Sequence, residues 1–275
     1  MAAAETAGVG SVTPEQRQHD FIKGKLAELE LETGVEILFA VESGSRAWGF
    51  ASPDSDWDVR FVYRQPAKEY VRLVKQPDTL GRSAKGDLYD ITGWDVAKAL
   101  KQALSSNATL LEWLRSPIRY RWEPEVEAVA AMCERLANPR SLTWNYFNLC
   151  RHAEEEFRKT EKLKKYLYAV RCAMSLRHVR MFPSAVPPMN IQQLVEAVDL
   201  SPDEEESVHQ LVRLKQASLE ADTVSEIGMN LMRDFVLGEL AQAEASKPEK
   251  TTPVSDAKLL ELTERVFVKT IGLEL

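Results

Sequence analysis

A chain of 275 residues has room for one large domain or two of ordinary size, and for a sizeable core. With 44% hydrophobic and 28% charged residues it has the makeup of a soluble globular protein, and its net charge of −7 offers no general attraction to nucleic acid or to an anionic membrane. The charge is uneven: residues 151–180 hold nine Lys/Arg against four Glu, a local +5 that leaves −12 for the remainder.

Residues 1–12 are small and polar and are expected to form a disordered tail, with neither the basic nor the apolar region of a secretory signal. Thr13-Pro14-Glu15-Gln16 reads as a capping-box helix start, Gly34 as its stop, with Phe21, Ile22, Leu26, Leu29 and Leu31 as a ragged apolar face. Residues 35–41 then predict a strand covered on both sides, with Ile37, Phe39 and Val41 on one face and Leu38 and Ala40 on the other. After Gly44-Ser45, residues 56–63 predict a second strand: Trp57, Val59, Phe61 and Tyr63 share one face, and Asp56, Asp58 and Arg60 the other. A short helix over 66–74, an edge strand near Thr79-Leu80 and a third strand over 86–92 follow.

Helical patterns dominate afterwards, over residues 95–104, 108–114, 124–136, 144–160, 161–181, 191–198, 202–222 and 224–245. Ser201-Pro202-Asp203-Glu204 is a second capping box. The fold class is α+β: a small mixed-sheet domain over 13–116, a helical domain over 117–245, a linker at 246–255 and a C-terminal helix within 256–275. Cys133, Cys150 and Cys172 make no C-x-x-C pair and read as reduced thiols, so with no run long enough to span a bilayer the expected location is cytoplasmic.

The chemistry is concentrated in residues 35–62. Side chains at i and i+2 of a strand point the same way, so Asp56 and Asp58 project together and repel unless a cation sits between them. Oxygen pairs of this kind suit Mg²⁺, which commonly takes one or two carboxylates plus substrate phosphates. If Tyr89 and Ile91 face the core, Asp90 joins the pair, whereas Asp87 points to the packed side. Three acids on adjacent strands fit a two-metal centre for phosphoryl transfer. A Gly-Ser turn leaving a strand can offer N–H groups and a hydroxyl to phosphate, although neither a P-loop nor a dinucleotide motif is present.

Gly44-Ser45, Asp56-Trp57-Asp58 and Asp90 together resemble the signature of the DNA polymerase β-like nucleotidyltransferase superfamily. The wider string G-S-R-A-W-G-F-A-S-P-D-S-D-W-D-V-R-F, with I-T-G-W-D-V-A-K-A-L and N-A-T-L-L-E-W-L-R-S-P downstream, is similar to its branch associated with RNA repair pathways. The resemblance implies a palm-like catalytic domain in which Gly44 and Ser45 hold a nucleoside triphosphate. Asp56, Asp58 and Asp90 would ligate Mg²⁺, with Mn²⁺ as a substitute, and Asp90 would help deprotonate the acceptor. The implied reaction is attack of a hydroxyl on the α-phosphorus of an NTP with release of pyrophosphate, the acceptor being RNA, a protein or a small molecule.

Arg46 has the chemistry to steady a leaving pyrophosphate, and Arg60 reads either as an ion-pair partner or as a phosphate contact. Lys164, Tyr168 and Arg171 share a helix face within the basic stretch and are further nucleotide-binding candidates. Glu112 is out of place in the apolar L-L-E-W-L and reads as a buried ion-pair partner. The alternative to an enzyme is a nucleotide- or RNA-binding regulator without turnover, which a missing acid would mark; no acid is missing.

Overall fold

The computed structural model describes residues 13–82, 88–219, 229–246 and 257–273; the expected tail, Asp87 and most of the expected linker lie outside them. Helix α1 (Pro14–Thr33) starts where the Thr13 hydroxyl accepts from the Gln16 N–H at 3.2 Å and ends at Gly34. Ile22, Leu26 and Leu29 form its buried stripe; Phe21 and Leu31 fall off that stripe and are exposed, Leu31 at 88%.

Five strands form a mixed sheet: β1 (Glu36–Ser43), β2 (Trp57–Arg64), β3 (Thr79–Arg82), β4 (Tyr89–Asp95) and β5 (Arg119–Trp122), in the order β3-β4-β2-β1-β5. Only β2 and β4 are parallel; the other neighbours run antiparallel. One face packs on α1 through Ile37, Ala40, Val59, Phe61, Tyr63 and Ile91. The other packs on the helices through Leu38, Phe39, Val41 and Val62. The strict alternation expected along β1 therefore breaks. The register with β2 shifts between Ile37 and Phe39, and this bulge at Leu38 turns both Leu38 and Phe39 to the helical side.

Two further expectations are corrected. Helix α3 is one turn (Ala67–Tyr70) rather than a helix over 66–74, because Val71, Leu73 and Val74 are exposed with no surface to pack on. Strand β5 falls beyond residue 116, so the sheet draws on chain expected to be helical. R-Y-R-W at a sheet edge buries only Tyr120 deeply and so carries no clear period-2 signal.

Helices α4 (Val96–Leu104), α5 (Ala108–Leu114) and α6 (Val126–Leu136) cover the sheet, and α7 (Pro139–Thr160), α8 (Leu163–Met181), α9 (Ile191–Ala197), α10 (Pro202–Ala217) and α11 (Met229–Ala245) build outward from them. Helix α12 (Ala257–Thr270) returns toward the sheet, where the Thr270 carbonyl accepts from Arg64 at 2.6 Å. Helix α8 is buried nearly all round, as expected of the central element of a helical layer. The three cysteines are free and buried. No described helix is long and apolar enough to cross a membrane.

At the joint between sheet and helices, Arg171 of α8 is wholly buried and donates to Glu112 of α5 at 2.8 Å. Removing one partner of such a pair strands a charge, whereas removing both leaves an apolar site. Arg171→Met is therefore expected to lower unfolding free energy by about 3–5 kcal/mol. The double variant Glu112→Leu/Arg171→Met should recover most of that loss in urea denaturation.

Candidate active site

The parallel register of β2 and β4 places Asp58 directly beside Asp90. Trp57 and Val59, with Tyr89 and Ile91 opposite them, turn to the α1 side, and Asp58, Arg60 and Asp90 are left on the helical side. Asp56 is exposed in the loop just ahead of β2, so the acid pair straddles the start of the strand. Burial raises the pKa of Asp58; the positive charges of Arg60 and Lys164 oppose this, and Asp90 and Asp56 add to it. Arg60 bridges the two strand acids, donating to Asp58 Oδ1 at 3.3 Å, Asp90 Oδ2 at 2.7 Å and the Asp90 carbonyl at 2.8 Å. It is an ion-pair partner in this arrangement. Among the described residues no three His, Cys, Asp or Glu side chains converge closely enough to hold a metal ion unaided.

The Gly-Ser turn closes on the same spot. Strand β1 ends with Ser43 paired to Asp58, and α2 (Gly44–Trp48) begins at once. Gly44 has φ +63°, and a Cβ there would overlap the Asp58 carboxylate, so only glycine permits this approach. Ser45 is buried, and its hydroxyl has no hydrogen-bond partner. Behind Asp58, Glu42 accepts from the Asp58 N–H at 2.8 Å and from the Tyr120 hydroxyl at 2.5 Å. Sequence reasoning passed over Glu42, though an acid ending a two-sided apolar strand was the available signal.

The basic candidates separate. Lys164, at the start of α8, is close enough for its charge to act on Asp58. Tyr168, one turn on, stacks on Trp48 of α2 with ring centroids 4.5 Å apart. Arg171 does not reach a nucleotide site: its guanidinium is spent on Glu112, on the Met189 carbonyl and on the faces of Trp48 and Tyr168. The three residues share one face of α8, but its far end is interior. Arg46 is also corrected. It lies over the Trp57 ring at 3.9 Å, on the α1 side of the sheet, and donates to the Ser55 carbonyl at 2.5 Å and the Asp56 carbonyl at 3.2 Å. It braces the loop that carries Asp56 rather than facing the acids.

Residues 18–265 match a family model described as RlaP, RNA repair pathway DNA polymerase beta family. A curated relative, the uncharacterized protein YcgL of Bacillus subtilis (strain 168), is 31% identical over 252 residues, covering 88% of this chain and 95% of its own length. Among solved structures, a nucleotidyltransferase-like protein from Exiguobacterium sibiricum 255-15 aligns over 92% of this chain and 89% of its own. Its identity of 11% and TM-score of 0.31 are too low for either protein's fold or function to be inferred from the other.

Glu42 gives this region a measurable pH signature. Burial pushes its pKa up to about 7, outweighing the hydrogen bonds from Tyr120 and Asp58 that favour the carboxylate. Across the interval from the ordinary glutamate pKa up to about 7, the folded state holds a proton that the unfolded state has released, so stability falls as pH rises through that window and levels off above it. Glu42→Gln keeps an acceptor for Asp58 and cannot ionise. Urea denaturation of metal-free protein is expected to show wild-type stability declining by a few kcal/mol relative to Glu42→Gln over this range.

Proposed function

Because the chain belongs to the RNA repair pathway DNA polymerase beta family, we propose that it is a nucleotidyltransferase moving an NMP from an NTP to a hydroxyl acceptor, with pyrophosphate leaving. The observation that carries this reading is the adjacency of Asp58 and Asp90 across the parallel strands, with Gly44 pressed against the Asp58 carboxylate. The site is suited to Mg²⁺, or Mn²⁺ in its place: the donors are all oxygen, glycine at position 44 lets the Asp58 carboxylate lie against the turn, and the Ser45 hydroxyl there is buried without a partner. A bound Mg²⁺ would supply charge for the phosphate oxygens.

The chain's own groups divide the remaining work. Gly44 and Ser45 hold the triphosphate at the turn, with the Ser45 hydroxyl as donor. Asp56 and Asp58 would ligate the metal, and Asp90 would complete the set and accept the proton from the attacking hydroxyl. Arg60, already at the acids, has the donors to take phosphate oxygens when a cation replaces it there. Lys164 adds positive charge from the helical side. Catalysis in this scheme is positioning and charge neutralisation. RNA is the acceptor we favour, supported by the family's description and by the basic stretch over residues 151–180, with a protein or small molecule as the alternative.

One observation favours a second reading, a nucleotide- or RNA-binding protein without turnover: the guanidinium of Arg60 already pairs with both strand acids. Turnover separates the two. Incubation with each labelled NTP, Mg²⁺ or Mn²⁺ and candidate acceptors is expected to yield a nucleotidylated product and pyrophosphate. Asp56→Asn and Asp58→Asn should bring both below detection with circular dichroism unchanged. Full turnover in both variants would remove the assignment; NTP binding without any product would favour the second reading.

A further inference from the structure

We propose that Lys215, far from the acids in sequence and on the outer helix α10, is a positioning residue for Asp56. The proposal rests on the nucleotidyl-transfer reading above. Helix α10 buries Val208, Leu211, Val212 and Lys215, a single stripe at i, i+3, i+4 and i+7 on which apolar residues are the rule. Lys215 is 0% exposed, and its ammonium donates to Ser52 Oγ at 2.6 Å. Ser52 and Ser55, themselves buried, join their hydroxyls at 3.0 Å, and Ser55 Oγ also accepts from the Ser52 N–H at 2.9 Å. Ser55 immediately precedes Asp56, and the carbonyls of both are held from the other side by Arg46.

The loop between α2 and β2 is thus gripped from the helical layer by Lys215 and from α2 itself by Arg46. Gln192 and Gln216 donate to the Gly49 carbonyl at 3.2 and 3.3 Å. Gly49, at φ +90°, has room for this only because it lacks a Cβ, which would overlap the Gln192 side chain. Burying an ammonium carries a desolvation cost that a Met or Leu on the same stripe would avoid. What the ammonium adds is direction: it fixes a hydroxyl pair, and through it the backbone that presents Asp56. The helical layer therefore builds part of the metal-ligand geometry as well as covering the sheet.

Lys215→Met removes the donor at similar length, and Ser52→Ala removes the Ser52 acceptor while leaving the lysine in place. Each variant is measured for Tm, for Mn²⁺ affinity by electron paramagnetic resonance with and without NTP, and for kcat and KM of the turnover above. A displaced ligand acts on the reacting geometry, so we expect kcat to fall by about 10²-fold with KM for NTP within about two-fold of wild type, and Mn²⁺ binding to weaken. A changed Tm with unchanged kcat and Mn²⁺ affinity in the folded variants would make the contact structural only and overturn the proposal. If Lys215→Met does not fold, Ser52→Ala decides on the same terms. If wild type turns over no NTP, the functional reading fails by itself, and weaker Mn²⁺ binding in the variants still supports the role of Lys215. Wild type that binds no Mn²⁺ in either condition overturns both.

Discussion

Parallel pairing of β2 with β4 is the constraint from which the rest of the site follows. Both acids stand at the second residue of their strands, and parallel strands begin at the same end of a sheet, so Asp58 and Asp90 become direct neighbours. Antiparallel pairing would have put those starts at opposite ends. Two carboxylates so placed repel, and burial worsens the position of Asp58. Arg60, two residues on and on the same face, contains that repulsion from within the strand.

A second theme is buried charge gathered where sheet and helices meet. Arg171 with Glu112, Lys215 with Ser52, and Glu42 under Asp58 all act on residues 42–58 or on elements packed against them. Buried ionic groups add little net stability over well-packed apolar ones. Their common effect is geometric: Trp48 is sandwiched against Tyr168 and Arg171, Ser52 is tied to α10, and the Asp58 N–H is tied to Glu42. A short turn and loop that would otherwise sample many conformations are held at fixed points from several elements.

Much of this was legible from residue order because it depends on local rules. Thr13 and Ser201 cap helices as their side chains dictate. The period-2 alternation of β2 and β4 sorted Asp58, Arg60 and Asp90 from Trp57, Val59 and Ile91. The α+β class and the three-acid pattern needed no long-range information. The β1 bulge defeated the same alternation rule, since one extra residue reverses facing and nothing in I-L-F-A-V, apolar throughout, marks where it falls. Arg46 and Arg171 were misplaced for a related reason: an arginine's reach lets it serve phosphate, carbonyl or carboxylate, and position along a helix does not choose among them.

The sequence by itself determined which residue types stand on which face of β2 and β4, where α1 and α10 start, and that a Gly-Ser turn precedes an acid pair. Only the tertiary structure decided which charges meet. That Asp58 and Asp90 are neighbours, that Arg60 lies between them, that Glu42 is sealed behind them, and that Lys215 reaches Ser52 from 163 residues away all depend on strand order and helix packing. Electrostatics depends on distance and burial in space, and a linear pattern carries neither beyond the reach of one helix turn or one strand pair.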